Sequence, residues 1–281
     1  MMVEAPVMHH YSDFWGNSSS ACRGTADREA SGCFAHPHDD CASSSYVLII
    51  VNCRLPDFTA SLWTKARLHV CADGGANRLY HELPKLFQSE DASTVRERFI
   101  PDAIIGDLDS IDPDVREFYT CKGTTVLDKS DDQDTTDLHK CVAFIESSTP
   151  DLRSPNLKLI VVGALGGRFD HELANINVLY SFPSLRIVLL SDSTMLLLLP
   201  RGFRHEIKVN SSIEGPHCGL IPVGAPSETT TTTGLKWNLD RTAMAFGSLI
   251  STCNLVQSQI VTVCSDADLL WTITIHEAKY S

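Results

Sequence analysis

Leu68-His-Val-Cys-Ala-Asp-Gly-Gly-Ala-Asn-Arg-Leu-Tyr80 changes character at one residue, Asp73. The run before it is short and mostly apolar, the composition of a strand buried on both faces. After it, Gly74 and Gly75 turn the chain, and Leu79, Tyr80 and Leu83 recur at helical spacing. Strand, carboxylate, glycines and helix in that order describe a parallel strand feeding a crossover helix. Gly106-Asp-Leu-Asp-Ser110 repeats the pattern after an apolar run at 103–105. Gln133-Asp-Thr-Thr-Asp137 sits between a strand at 124–127 and an amphipathic helix with Leu138, Cys141, Val142 and Ile145 on one face. Gly163-Ala-Leu-Gly-Gly-Arg-Phe-Asp-His171 follows an apolar run at 157–162 and precedes a helix through Leu173, Ile176 and Leu179.

Working outward, residues 46–51 and Arg186–Leu190 read as two more buried strands. Asp112 as N-cap, Pro113 at the first helical position and Gly123 past the end bound another helix. Strands alternating with helices predict an α/β domain over residues 46–196, with a Rossmann-like parallel sheet. From residue 197 to 281 the texture changes: Gly, Pro and Thr rise, and short β-rich runs appear at 204–209, 219–223, 229–233, 259–264 and Leu269–Ile275. These predict an all-β domain of sandwich or barrel character. Residues 1–45 are poor in aliphatics and read as a disordered tail. The tail's His9, His10, Cys22, Cys33, His36, His38 and Cys41 match no closed four-ligand zinc spacing.

With 281 residues and 43% apolar content, a sizeable core is expected. A formal charge of −12 repels a phosphate backbone and argues against nucleic acid as partner. It leaves a nucleotide open, because a bound cation reverses the local field. Ten cysteines form no C-x-x-C pair, and several lie in apolar runs, as reduced thiols of a cytoplasmic protein would. No stretch reaches the roughly 20 apolar residues of a membrane span, and residues 195–199 are far too few. The N-terminal composition matches neither a secretory signal nor a mitochondrial presequence.

Carboxylates beside glycines at the carboxyl edge of a parallel sheet suit a magnesium–nucleotide site. Asp107 and Asp109 are two apart, so in an extended segment both face one ion. Asp134 and Asp137 are neighbours on a helix start. Structural roles also fit these two: Asp134 as an N-cap, Asp137 as a first-turn acid. Two pairs at two strand ends, with Asp73 at a third, favour a shared metal site. The glycines of 163–170 expose N–H groups at a helix N-terminus, and Arg168 adds a forked donor for phosphate oxygens. A glycine turn with a surface arginine is the alternative there. His171 could act as a base or simply cap or pack.

Taken in order, these clusters resemble thiamine pyrophosphokinases of the eukaryotic type. The matching stretches are Cys71-Ala-Asp-Gly-Gly-Ala-Asn-Arg-Leu79, Gly106-Asp-Leu-Asp-Ser-Ile111, Asp132-Gln-Asp-Thr-Thr-Asp137 and Gly166-Gly-Arg-Phe-Asp170. Further along come Cys218-Gly-Leu-Ile-Pro-Val-Gly224, Thr231-Thr-Thr-Gly-Leu-Lys-Trp-Asn-Leu239 and Ala245-Phe-Gly247 with Ser251. The resemblance covers residues 46–275. It implies transfer of the pyrophosphate group of ATP to the hydroxyethyl of thiamine, giving thiamine diphosphate and AMP. It implies a homodimer whose sites are shared between chains. Asp107, Asp109 and Asp137 become the expected Mg2+ ligands, and Asp73 a catalytic residue beside them. Gln133 and Asp134 are expected in the floor of the ATP site, and Gly166, Gly167, Arg168 and Asp170 around its phosphates. Trp237 is expected on the thiamine, with Asn238 at its rim. An indole face suits a cationic heteroaromatic, although a core tryptophan also fits the pattern.

Asp128-Lys-Ser-Asp-Asp132 is more acidic than the family pattern and would weaken ATP binding or demand more magnesium. Two other functions share parts of this signature. A magnesium-dependent nucleotide hydrolase would use the same aspartates with water, and Trp237 argues against it. A non-catalytic thiamine or nucleotide sensor would not need the full acid set.

Overall fold

The computed structural model describes residues 5–15, 46–148 and 157–276. Strand β1 (Val7–Tyr11) and a 3-10 turn (Asp13–Trp15) come first. Strands β2 (Tyr46–Ile50), β3 (Leu68–Ala72), β4 (Ala103–Gly106), β5 (Thr125–Asp128), β6 (Lys158–Val162) and β7 (Arg186–Leu190) follow. Between them run helices α1 (Thr59–Trp63), α2 (Gly75–Glu82), α3 (Ala92–Arg98), α4 (Pro113–Cys121), α5 (Asp137–Ser148) and α6 (Phe169–Ser181). The remaining strands are β8 (Thr194–Leu199), β9 (Arg204–Lys208), β10 (Glu214–Ile221), β11 (Ser227–Thr233), β12 (Thr242–Met244), β13 (Ser251–Leu255), β14 (Ile260–Ser265) and β15 (Leu269–Ile275).

Strands β7, β6, β2, β3, β4 and β5 lie side by side in that order, all parallel. Their apolar runs are explained by burial on both faces: every residue of β2 and β6 is buried. After β2 the chain builds outward through β3, β4 and β5, then returns to the other side of β2 for β6. The carboxyl ends of β2 and β6 therefore flank a crevice, the place where open α/β sheets bind ligands. Helix α4 starts and stops as expected, with Asp112 at the N-cap and Gly123 at φ +96° beyond its end. Leu138, Cys141, Val142 and Ile145 of α5 are buried against the sheet.

The two expected domains share one sheet. Strand β8 pairs antiparallel with β7 on one side and β15 on the other, and β10 and β13 complete a mixed sheet of ten strands. The boundary expected between residues 196 and 197 thus falls inside a continuous strand. A second sheet, ordered β1-β9-β14-β11-β12, packs on the C-terminal end of the first through Ile207, Val261, Val263, Trp271 and Ile273. The C-terminal part is a two-layer β structure, but one of its layers is the continuation of the α/β sheet.

The tail expected over residues 1–45 is corrected for residues 5–15. Strand β1 pairs in parallel with β9, and Phe14 and Trp15 are buried in the main core. Phe14 meets Tyr46 edge-on, and Trp15 meets Phe58 the same way. Lys158 on β6 pairs with Asp13 and donates to the Tyr11 carbonyl. This segment ties the five-stranded sheet to the ten-stranded one. Cys22, Cys33, His36, His38 and Cys41 lie outside the described residues.

Seven cysteines among the described residues are free. Cys71, Cys141 and Cys218 are buried, as small hydrophobes would be; Cys121 and Cys253 are exposed. No helix among the described residues is long and apolar enough to cross a membrane.

Candidate active site

Parallel strands bring their carboxyl ends to one edge, and three carboxylates meet there. Asp73 follows β3, Asp107 follows β4, and Asp137 opens α5. One carboxylate oxygen from each lies within 4.8 Å of the others. Asp73 is almost fully buried. Its Oδ2 accepts from Ser110 N at 2.9 Å. The Oδ1 atoms of Asp73, Asp107 and Asp137 are all buried without a hydrogen bond. Burial, then the charges of Asp137, Asp107 and Asp109, push Asp73 up to about 6 against the Ser110 bond. Burial and the Asp107 charge also raise Asp137.

The backbone is bent to make this cluster. Asp73 has φ +41° and Leu108 φ +63°, conformations that side chains other than glycine rarely adopt. Gly106 leaves room for it: a Cβ there would stand 2.6 Å from Asp73 Cβ and 2.9 Å from Asp137 Oδ1.

Converging buried carboxylates whose oxygens lack hydrogen bonds are costly unless something positive sits among them. All the donors are hard oxygens, which suits magnesium or another hard divalent cation. Lys140, one turn along α5, places Nζ 3.5 Å from Asp137 Oδ1 and 3.8 Å from Asp107 Oδ2. One ammonium against three carboxylates leaves two negative charges, so the donor set fits a divalent ion.

A cleft of about 550 Å³ opens beside the cluster, between the ends of β2 and β6. Asn52, Cys53, Arg78, Asp107, Thr136, Asp137, the 163–168 loop and His171 are among its lining residues. Gly163, Gly166 and Gly167 all have positive φ, which keeps the loop tight against the cleft. Arg168 is exposed at the rim, and Asp170 grips its guanidinium through two contacts, Nε–Oδ1 at 3.1 Å and Nη2–Oδ2 at 2.5 Å. Gly166 N–H is already taken by Glu172 Oε1 at 2.9 Å.

Several expected site residues are placed differently. Asp109 is not among the three carboxylates whose oxygens lie within 4.8 Å of one another. Its carboxylate is exposed and accepts from Ser110 Oγ at 2.8 Å, yet it stays beside the cluster: the Ser110 bond first, then contacts with the Asp107 and Asp73 side chains, hold it below the usual carboxylate range. Leu108, in the left-handed region, interrupts the extended alternation between Asp107 and Asp109. Asp73 takes the third place instead. Gln133 and Asp134 are exposed and do not line the cleft; Gln133 Nε2 donates to Ser130 O within its own turn. Asp170 does not line it either and acts through Arg168. The acidic 128–132 stretch is partly absorbed locally. Asp128 accepts from Ser130 N, and Asp132 from Asp134 N and Thr135 N.

Trp237 does not line this cleft; it lies on the C-terminal part, and the residue is 55% exposed. The buried Asn254 amide pins its backbone, accepting from Trp237 N at 3.1 Å and donating to Trp237 O at 2.8 Å. Lys236 Nζ stands 4.6 Å from the indole centroid. Asn238 is spent on the loop, its Oδ1 accepting from Leu235 N at 3.1 Å.

Sequence reading missed Arg78, Asn52, Lys140 and Asn254. Arg78 donates to Asn52 Oδ1 and Glu82 Oε1, both at 2.9 Å, which fixes a second guanidinium at the cleft. An arginine just after the Gly74-Gly75 turn was the available signal. For Lys140, the signal was a lysine on the buried side of α5.

The comparisons agree across both halves. Residues 59–189 match the family described as thiamin pyrophosphokinase, catalytic domain, and residues 204–270 match thiamin pyrophosphokinase, vitamin B1 binding domain. A thiamine pyrophosphokinase of Oryza sativa subsp. japonica is 56% identical over 85% of this chain and 90% of its own length. One from Arabidopsis thaliana is 56% identical over 87% of this chain and 92% of its own. Among solved structures, thiamin pyrophosphokinase from Candida albicans superposes with a TM-score of 0.70 at 25% identity, over 83% of this chain and 90% of that one. On the matches to both family models and the identity to the plant enzymes, this chain belongs to the thiamine pyrophosphokinases, of eukaryotic type.

Proposed function

We propose that the chain transfers the β,γ-pyrophosphate of ATP to the hydroxyethyl of thiamine, releasing AMP. The observation that carries this is the meeting of three carboxylates, each with a buried oxygen that has no hydrogen bond, beside a glycine-lined cleft. Asp73, Asp107 and Asp137 would hold magnesium, and Asp109 would add to the field that attracts it. Bound there, the ion would draw charge from the polyphosphate oxygens as the bond to the leaving AMP breaks.

The protein's own part is positioning. Arg168, kept in orientation by Asp170, meets phosphate oxygens with a forked donor, and Arg78 offers another across the cleft. The 163–167 loop lets the polyphosphate approach the backbone. These groups hold the β-phosphorus in line with the attacking alcohol and the leaving oxygen.

Trp237 and Asn238 do not line the cleft of their own chain. We place them against the cleft of a second copy, in a homodimer with sites shared between chains. The exposed indole would stack on the cationic acceptor, its backbone already held by Asn254. The seven free cysteines suit a reducing compartment, and we assign the enzyme to the cytoplasm.

Counting AMP in the presence and absence of thiamine tests the assignment. Transfer requires AMP release to depend on thiamine and to match thiamine diphosphate formed. AMP or phosphate released at the same rate without thiamine would make the protein a hydrolase.

A further inference from the structure

Lys140 is the one cation touching the acidic cluster among the described residues. Its side chain is 3% exposed. Among the described residues, the close charged partners of Nζ are Asp137 Oδ1 at 3.5 Å and Asp107 Oδ2 at 3.8 Å. Both distances are long for a charge-assisted hydrogen bond, so the ammonium is a counter-charge beside the two carboxylates. It reaches that position from inside the fold, on the buried face of α5, and does not line the cleft.

We propose that Lys140 is a resident counter-cation that sets the divalent-ion affinity of the free enzyme. This rests on the reading of Asp73, Asp107 and Asp137 as metal ligands. Two consequences follow from Coulomb's law at these separations. Without metal, the ammonium offsets part of the repulsion among three partly buried carboxylates and keeps them together. With metal, the same ammonium repels the incoming ion, so the site holds a lone divalent cation weakly. The cation is then favoured when it arrives already bound to polyphosphate, whose negative charge compensates Lys140. Lys140 is a positioning residue in this scheme, because it acts through the aspartates and touches neither substrate.

The test uses the full chain, Mn2+ alone as probe, and Lys140→Met and Lys140→Arg. Free Mn2+ is titrated by electron paramagnetic resonance without nucleotide, and melting temperature is followed with chelator and with saturating Mn2+. A residue of merely structural importance would weaken Mn2+ binding when replaced. Here Lys140→Met is expected to bind Mn2+ at least about tenfold tighter than the wild type, since a repelling charge is gone. It should melt lower than wild type in chelator and recover when Mn2+ is added. Lys140→Arg, which keeps the charge, should bind Mn2+ as the wild type does. Equal or weaker binding by Lys140→Met overturns the inference, and so does a Lys140→Met chain that stays unfolded at saturating Mn2+. If Mn2+ binds neither wild type nor variant, the metal reading falls and this inference with it; equal binding to both removes only the role of Lys140.

Discussion

Ser110 N donates to Asp73 Oδ2 at 2.9 Å, which leaves Asp73 Oδ1 buried and without a hydrogen bond in the carboxylate that meets Asp107 and Asp137. The bond fixes which oxygen is free. It comes from the turn after β4, whereas Asp73 comes from the end of β3. Two crossovers are therefore locked together at the one point where their carboxylates must meet.

This arrangement costs stability when no cation is present. A carboxyl raised from 3.8 to about 6 binds its proton more tightly folded than unfolded. Its contribution therefore falls as pH rises between those two values and stays unfavourable above them. Asp73→Asn removes that loss and keeps an oxygen for Ser110. In chelator at neutral pH it should be more stable than wild type by about 1–3 kcal/mol. The gain should vanish below the ordinary carboxyl range, and turnover should be lost. Thermal melts across pH check both; a variant less stable at neutral pH would contradict the burial argument.

Gly106 is the narrowest point of the cluster. In Gly106→Ala the new methyl would overlap Asp73 Cβ and press on Asp137 Oδ1. A displacement of about 1 Å among the carboxylates is expected to lower kcat by on the order of 100-fold. Overpacking should destabilise the fold by only about 1–3 kcal/mol. Steady-state kinetics beside a denaturant titration separate the two effects, and near-normal kcat would show that the cluster tolerates the shift.

Residues 5–15 bridge both sheets, so their loss should be felt globally. Phe14→Ala removes a fully buried ring and should cost about 3–5 kcal/mol. Deletion of residues 1–15 should lower the melting temperature by more, since the β1–β9 pairing goes as well. An unchanged melting temperature after the deletion would mean that the segment merely rests on the surface.

Subunit mixing tests the shared site. Asp107→Asn and Trp237→Ala chains should each be nearly inactive. After exchange in equal amounts, one site in four carries both intact halves, so roughly one quarter of wild-type activity should return. No return despite demonstrated exchange would put Trp237 outside the partner's site.

The parallel half of the fold was legible because strands buried on both faces leave continuous apolar runs, as in β2 and β6. Asp112-Pro113 and Gly123 marked α4 for reasons of backbone geometry alone. Strand β1 was hidden because only alternate residues of Val7–Tyr11 are partly buried and two of its five residues are histidines. The continuity of the sheet through β8 was also hidden, since an apolar strand reads the same whichever sheet it joins. At the site, Asp107 and Asp137 were readable from position after a strand and at a helix start. Asp73 was readable in the same way, at the end of a third strand. The exposed place of Asp109 beside the cluster was not, because it turns on the left-handed backbone of Leu108. Asn254 acts through tertiary contacts that no local spacing signals, and Lys140 was marked only by its place beside the apolar face of α5.

The most direct test follows the β-phosphorus. The purified chain is given thiamine, magnesium and ATP labelled at that atom, and products are separated. The expected result is label in thiamine diphosphate, with unlabelled AMP formed in equal amount and only when thiamine is present. Label in ADP, with thiamine monophosphate as product, would contradict transfer of the intact pyrophosphate group.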